Sequence, residues 1–197
     1  MQIKNLHPPI LELAPGHTLH RVQLTRARKT NVRINGLLLA PNGLKAGRFD
    51  LVDEATAYLA DSELTALYES VFRRDVHNRS LEELARKSLV QFVTKGRLRL
   101  ADLRVLAEPY PVLQAQRITI TQALAQECRT QQLDGIVYAS AQHPQHVCLA
   151  LFTSGMVQLK KVASLTLVKP GSSQLLSCVI DAARRSGVPL INFAETD

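Results

Sequence analysis

The chain has no tryptophan, and aromatic residues of all kinds make up only 5% of it. Few side chains are therefore available as stacking platforms for nucleic-acid bases. Cysteine is scarce as well: Cys128, Cys148 and Cys178 are an odd number, and no two of them form a Cys-x-x-Cys pair. That spacing argues against a disulfide framework and against a thiolate zinc site. All three read as small, partly buried core residues. No apolar run approaches the roughly 20 residues that span a bilayer. The opening Met1-Gln2-Ile3-Lys4-Asn5-Leu6-His7-Pro8-Pro9 lacks the apolar core of a signal peptide, so a cytoplasmic protein without a membrane role is expected. Internal repeats and low-complexity tracts are missing too.

What is present belongs to a folded chain. Its 197 residues suffice for one domain with a proper core, and 46% hydrophobic with 21% charged residues is ordinary for a folded soluble protein. The net charge of +7 invites an anionic partner. The densest basic stretch runs from Arg21 to Arg33, with Arg26, Arg28 and Lys29 between them and no acidic residue. Such a stretch holds phosphates or forms a solvated face, and charge alone does not decide which. The other basic residues are scattered.

Apolar and polar positions alternate through Thr18–Leu24, which reads as a strand with Leu19, Arg21 and Gln23 on one side. Asn35-Gly36 and Pro41-Asn42-Gly43 are turn signals, and the apolar run between them is expected in a folded loop. A short strand, residues 55–60, carries Tyr58. Leu64, Leu67, Tyr68, Val71 and Phe72 then recur at helical spacing and predict a helix over 62–74, capped by Asp61 or Ser62. On a wheel of about 3.6 residues per turn Glu69 lies about 60° from Phe72, at the margin of the apolar face. Ser80-Leu81-Glu82-Glu83 is a capping box that opens a second helix. Strands follow at 89–94 and 97–100, with Lys95-Gly96 between them as a hairpin signal. A helix is predicted over 119–132 with Thr119 and Gln122 as a further box, and strands over 136–138, 147–152 and 162–168. A helix over 173–185 and a strand over 188–191 complete an α+β or mixed pattern.

The residues with chemical potential fall at the ends of these strands and on one helix. They are Arg21, then Gly47-Arg48-Phe49 with Tyr58 and Glu69, then Asp134-Gly135-Ile136-Val137-Tyr138-Ala139-Ser140. Two arginines, an aromatic ring, one carboxylate and one hydroxyl suit a ligand with two phosphates, a flat ring and a ribose. Arginines clamp phosphates through charge-assisted, often bidentate bonds. A leaving group that departs neutral from a pyridinium needs no proton donor, so one carboxylate suffices where glycoside hydrolysis ordinarily recruits two. The plain alternatives are a Glu69–Arg73 pair on a helix surface, a packing role for Tyr58, exposed arginines and a Ser140 that caps a turn. His143 and His146 form His-x-x-His in a loop, and two histidines without further ligands do not make a metal site.

This set, with Tyr58-Leu59-Ala60-Asp61-Ser62 leading into Ala66-Leu67-Tyr68-Glu69, resembles the RES domain, named for its Arg, Glu and Ser. The motif-bearing resemblance covers about residues 16–152 of a single domain 1–197, with 153–197 as a strand–helix extension. It departs at His20, where an aromatic commonly stands, at Asp50, where Asn is common, and at Gln142, where many members carry Arg. Arg26, Arg28 or Arg33 are candidates to replace that last charge. The resemblance implies an α+β, mixed-sheet fold similar to the diphtheria-toxin-like ADP-ribosyltransferases. It implies a toxin that cleaves the nicotinamide–ribose bond of NAD+, as glycohydrolase or phosphorylase, with no cofactor beyond the NAD+ substrate and no metal. Glu69 would stabilise the transition state, Arg21 and Arg48 would bind and orient the dinucleotide, Tyr58 would support the nicotinamide end, and Ser140 would position the ribose or the carboxylate. The partner implied is an Xre-type helix-turn-helix antitoxin in a hetero-oligomer, with DNA contact only through that antitoxin. Two alternatives stand beside this reading: an ADP-ribosyltransferase modifying a specific protein, and a non-enzymatic basic module binding nucleic acid.

Overall fold

The computed structural model describes residues 7–44, 46–106 and 118–191. Among the described residues, twelve strands and five helices follow one another. They are β1 (Ile10–Leu13), β2 (Thr18–Leu24), β3 (Val32–Ile34), β4 (Leu37–Leu39), β5 (Ala57–Ala60), α1 (Glu63–Ser70), β6 (Arg79–Ser80), α2 (Leu81–Ala85) and β7 (Lys87–Thr94). Then come β8 (Leu98–Asp102), α3 (Ile118–Thr130), β9 (Gly135–Ala139), β10 (Val147–Leu151), α4 (Thr153–Met156), β11 (Leu159–Thr166), α5 (Ser177–Ser186) and β12 (Leu190–Ile191). The fold class is α+β. None of the described helices is long and apolar enough to cross a membrane.

Eight strands form one sheet in the order β1-β8-β9-β10-β5-β2-β7-β11, and β8–β9 is its parallel pair among antiparallel neighbours. β7 and β8 lie near opposite ends of that order, yet Val90 and Phe92 share a core with Leu98 and Leu100. The sheet therefore curls, and its concave side is filled by alternate residues of most of its strands. The β3–β4 hairpin contributes Leu37 and Leu39 to this core. On the convex side α1 and α5 cover one region through Leu67, Val71, Val179 and Ala182. The helix α3 covers another through Leu124, Ala125 and Cys128 against Ile136 and Ala150. The site lies between these two helical layers.

Several boundaries differ from the sequence expectation for identifiable reasons. The apolar run Leu37–Leu39 is a strand, because Asn35 (φ 47°) and Gly36 (φ 87°) form the two-residue left-handed turn that matches hairpin twist. Lys95-Gly96 does not join a hairpin: β7 pairs with β2 and β11, β8 with β1 and β9. Lys95 N–H donates instead to the carbonyl of Gln158 at 2.7 Å, so the chain crosses from one end of the curled sheet to the other. The first helix stops at Ser70, four residues short, where the Leu67 carbonyl accepts from both Val71 and Phe72. Ser62 caps its start by accepting from Thr65 N–H, and Ser80 caps α2 by accepting from Glu83 N–H. The last helix begins at Ser177 after a turn in which Val168 bridges Leu175.

One irregularity positions everything that follows. β2 runs against β7 over seven paired positions, from Thr18↔Val93 to Leu24↔Lys87. On its other side it meets β5 at one position, His20↔Ala60. The two central strands diverge from there, leaving backbone groups of β5 without ladder partners and a cleft where the next pairs would be.

Gly135 sits between β8 and β10, and a Cβ there would overlap the carbonyl oxygen of Ala150 and lie 3.0 Å from Leu151 Cα. Both obstacles are backbone. Gly135→Ala is expected to cost about 1–3 kcal/mol, read as a lower urea midpoint at unchanged slope relative to the unsubstituted protein.

Candidate active site

The divergence of β2 and β5 opens into a cleft of about 520 Å³. Its floor comes from His20 and Val22 of β2, Tyr58 and Ala60 of β5, Tyr138 of β9 and Cys148 of β10. Glu69 and Ser70 of α1 form one wall, and Gly47 and Arg48 the other. Arg21 fills the gap itself. Its Nη1 donates to the carbonyl of Tyr58 at 2.6 Å, and its Nη2 makes a long contact of 3.5 Å with the carbonyl of Leu38. A guanidinium thus takes the place of the missing ladder partner. Its Nε is buried without a hydrogen-bond partner, and no carboxylate forms an ion pair with it among the described residues. Burial pulls the Arg21 pKa down to about 10, with the nearest acidic groups, Tyr58, Tyr138 and Asp50, opposing the shift. The side chain is still protonated at neutral pH. It is a fixed positive charge whose donors are only partly used, facing a cavity large enough for a ligand.

The opposite wall is a short loop tied down by Asp50. Its Oδ2 accepts from Gly47 N–H at 2.6 Å, and its Oδ1 accepts from the Tyr58 hydroxyl at 2.8 Å. The Tyr58 oxygen in turn accepts from Phe49 N–H at 2.9 Å. Burial and the neighbouring Asp50 carboxylate raise the Tyr58 pKa far above that of free tyrosine, so the hydroxyl stays a donor. A side chain at residue 47 would collide with the Tyr58 hydroxyl, which is why the loop needs glycine there. From α3, Gln122 Nε2 donates to the Gly47 carbonyl at 2.8 Å. The Arg48 guanidinium carbon lies 5.1 Å from the Phe49 ring centre and 5.4 Å from that of Tyr138. Cation–π attraction at this range holds the side chain along the cleft.

Glu69 is held from the end of β9. Ser140 Oγ donates to its Oε1 at 2.5 Å, and Gln142 N–H approaches the same oxygen at 3.4 Å. Ser140 is in turn fixed by the N–H groups of Gln142 and His143, which donate to Oγ at 3.2 and 2.9 Å. Oε2 of Glu69 has no protein partner among the described residues and is the oxygen left for a ligand. The loop behind is braced by a stacked pair of imidazoles, His143 and His146, with ring centres 3.8 Å apart. His143 Nδ1 lies 2.8 Å from Thr65 Oγ1, and His146 Nδ1 lies 3.1 Å from Asp61 Oδ2. These histidines link the Ser140 loop to the start of α1. Arg73 bonds Asp75 at 3.0 Å, so the Glu69–Arg73 surface pair does not form.

Arg21, Arg48, Tyr58 and Glu69 therefore line one cleft, and Ser140 grips the carboxylate from behind. Arg26, Arg28 and Arg33 are exposed and line none of it. Gln142 lines it directly. Three supporting residues were not picked out as such from the sequence. Asp50 and Gln122 organise the Gly47 loop, and His20 is buried in the floor with Nδ1 unpartnered. Asp50 stood out only as a departure from the motif, and a glutamine bond to a residue 75 positions away leaves no local signal.

A buried uncompensated guanidinium, a second one stacked on aromatic rings and an anchored carboxylate define a site for an anionic ligand. The RES domain profile matches residues 18–169, and the chain belongs to that family. A chain in the crystal structure of the M. tuberculosis MbcT–MbcA toxin–antitoxin complex shares the fold, with a TM-score of 0.55 at 15% identity. The match covers 79% of this chain and 86% of that one. No curated protein matches the chain.

Tyr58→Phe removes the acceptor of Phe49 N–H and the donor to Asp50 together. A loss of about 1–3 kcal/mol is expected, measured by urea denaturation, with the loop around Gly47 becoming the first segment to exchange its amide hydrogens. His20 gives a pH test. Burial lowers its pKa, against the pull of Glu63 and Asp61, so the unfolded chain binds its proton more readily than the folded one. Stability therefore falls as pH drops below about 6.5, the unfolded value. His20→Phe should flatten that part of the stability–pH curve; an unchanged slope would mean that the imidazole is not held neutral.

Proposed function

We propose that this chain is the toxin of a toxin–antitoxin pair and that it cleaves the nicotinamide–ribose bond of NAD+. The observation that carries the reading is the pairing of an anchored carboxylate, Glu69, with the uncompensated guanidinium of Arg21 across one cleft. The family supports the toxin role, and the fold it shares with a chain of a toxin–antitoxin complex supports it too.

The chemistry follows from the groups present. Arg21 and Arg48 bind the pyrophosphate and orient the dinucleotide. Tyr58 supports the nicotinamide end through the loop it fixes. Glu69 Oε1 is engaged by Ser140 and Gln142, so Oε2 faces the ribose, hydrogen-bonds its hydroxyls and stabilises the positive charge that develops as the C–N bond lengthens. The bonding electrons leave with nicotinamide, which departs neutral. Water adds at the ribose carbon and loses a proton, giving ADP-ribose; phosphate in its place gives the phosphorylated sugar. The reading places the protein in the cytoplasm, held inactive by an Xre-type helix-turn-helix antitoxin that supplies the DNA contact. It requires no metal.

Nicotinamide release from NAD+ by the purified chain tests this, beside Glu69→Gln and Ser140→Ala. Glu69→Gln should lower the rate about a hundredfold to a thousandfold. Ser140→Ala should lower it less, since the carboxylate remains but loses its anchor. Added phosphate with product identification separates hydrolysis from phosphorolysis. A folded, inhibitor-free protein that releases no nicotinamide would contradict the reading, and ADP-ribosylation of a protein target would then take its place.

A further inference from the structure

Past Arg21 the cleft runs into a smaller cavity of about 250 Å³, and Arg21, Val22 and Ser70 line both. Pockets that enclose a whole small molecule measure about 300–1,000 Å³. This one takes a single group of a ligand whose body lies in the cleft. Its neutral polar walls are already spent on the backbone. Gln23 donates to the Gly36 carbonyl at 3.0 Å and accepts from Leu38 N–H at 3.1 Å. Asn31 donates to the Leu39 carbonyl at 2.8 Å and accepts from Arg28 N–H at 2.7 Å. The Ser70 hydroxyl donates to the Ala66 carbonyl at 2.6 Å.

Lys87, at the start of β7, is the exception. It is half-buried in this wall, and its ammonium enters no hydrogen bond or ion pair among the described residues. Glu83, the carboxylate that acts on it, lies 3.6 Å from Arg79 instead. Burial and Arg79 lower the Lys87 pKa, with Glu83 opposing the shift. No aspartate or glutamate is among the described residues lining the cavity. Lys87 and Arg21 thus face one small space without a counter-ion, and an anion there relieves their repulsion. Asn31 also brings to the rim the loop that carries the exposed cations Arg28 and Lys29, which add to the same positive field. The size and walls select the anion. No aromatic ring lines the cavity, so a base has no face on which to stack. A phosphate monoester is compact, carries nearly two negative charges at neutral pH and offers three acceptor oxygens. Those oxygens match the rotatable donors of a lysine.

We propose that this cavity is a subsite for a phosphate monoester on the adenosine ribose of a dinucleotide, recognised by Lys87, so that the chain takes NADP+ as well as NAD+ and binds it more tightly. The inference rests on the function proposed above. There the nicotinamide end lies beside the Gly47 loop and the pyrophosphate on the arginines, so the adenosine end leaves past Arg21 toward Lys87. The bond broken is the same. NADP+ and water give nicotinamide, 2′-phosphorylated ADP-ribose and a proton.

The test is calorimetric titration of the full chain with adenosine 2′,5′-bisphosphate and, beside it, with AMP, which lacks the 2′-phosphate. The bisphosphate should bind about tenfold or more tightly than AMP, with an advantage that shrinks as salt is added. Lys87→Met should abolish that advantage, and Lys87→Arg should keep most of it. Lys87→Gln serves in place of Lys87→Met if the apolar side chain disturbs folding. Equal affinity for the two compounds, or an advantage that survives loss of the charge at residue 87, overturns the proposal. Inorganic phosphate is titrated at matched ionic strength. If it binds with the same dependence on Lys87 while the bisphosphate gains nothing over AMP, the cavity belongs to a free anion and the dinucleotide assignment falls. Nicotinamide release reads the same preference: kcat/KM for NADP+ relative to NAD+ should drop about tenfold in Lys87→Met. If neither dinucleotide releases nicotinamide, the proposed cleavage fails while the calorimetry still decides the subsite.

Discussion

The guanidinium of Arg21 is the group on which the architecture turns. A sheet that curls tightly enough to enclose its own core strains the pairing of its central strands, and here β2 and β5 keep a single shared position. The carbonyl of Tyr58 would be left unpaired at the edge of that gap, at a cost comparable to a lost hydrogen bond. Arg21 satisfies it from the neighbouring strand. In doing so the side chain carries a full charge into the floor of the cleft, where burial weakens its hold on the proton without removing it. One residue both closes a defect in the sheet and leaves a cationic centre facing the cavity that the defect creates.

The two other parts of the site are arranged by the same kind of local accounting. Asp50, Gly47, Phe49 and Tyr58 satisfy one another in a closed set of hydrogen bonds that fixes where Arg48 begins. Ser140, just after the end of β9, accepts hydrogen bonds from two backbone N–H groups and donates one from its hydroxyl to Glu69. Each network is anchored on a strand end, so the functional side chains inherit the rigidity of the sheet. Preorganisation of this sort places charge before a ligand arrives, which is what electrostatic stabilisation of a transition state requires.

Much of this was legible from residue order, for physical reasons. Alternation marked β2 over its full observed range, and Ser62 and Ser80 marked helix starts because a hydroxyl must cap orphan N–H groups wherever it stands. Glu69 at the edge of an apolar helix face is a consequence of periodicity, and the helix does turn it into the cleft. The motif brought Arg21, Arg48, Tyr58 and Ser140 to the same place. What could not be read was long-range closure. The curl that separates β7 from β8 overrode the Lys95-Gly96 turn signal, and the β2–β5 gap has no signature in either strand. The partners that hold the site, such as Gln122 on Gly47 and Thr65 on His143, join segments that only the fold brings together.

Membership of the RES domain family gives these contacts a common purpose without specifying the ligand's pose. The central claim is that a dinucleotide lies in the gap between β2 and β5, its phosphates on the arginines and its ribose against residue 69. A crystal structure of the Glu69→Gln variant with NAD+ tests it most directly. The account predicts an intact dinucleotide in that gap, pyrophosphate within hydrogen-bond reach of Arg21 or Arg48 and the nicotinamide ribose beside the substituted side chain. A dinucleotide bound elsewhere with the gap empty would contradict it.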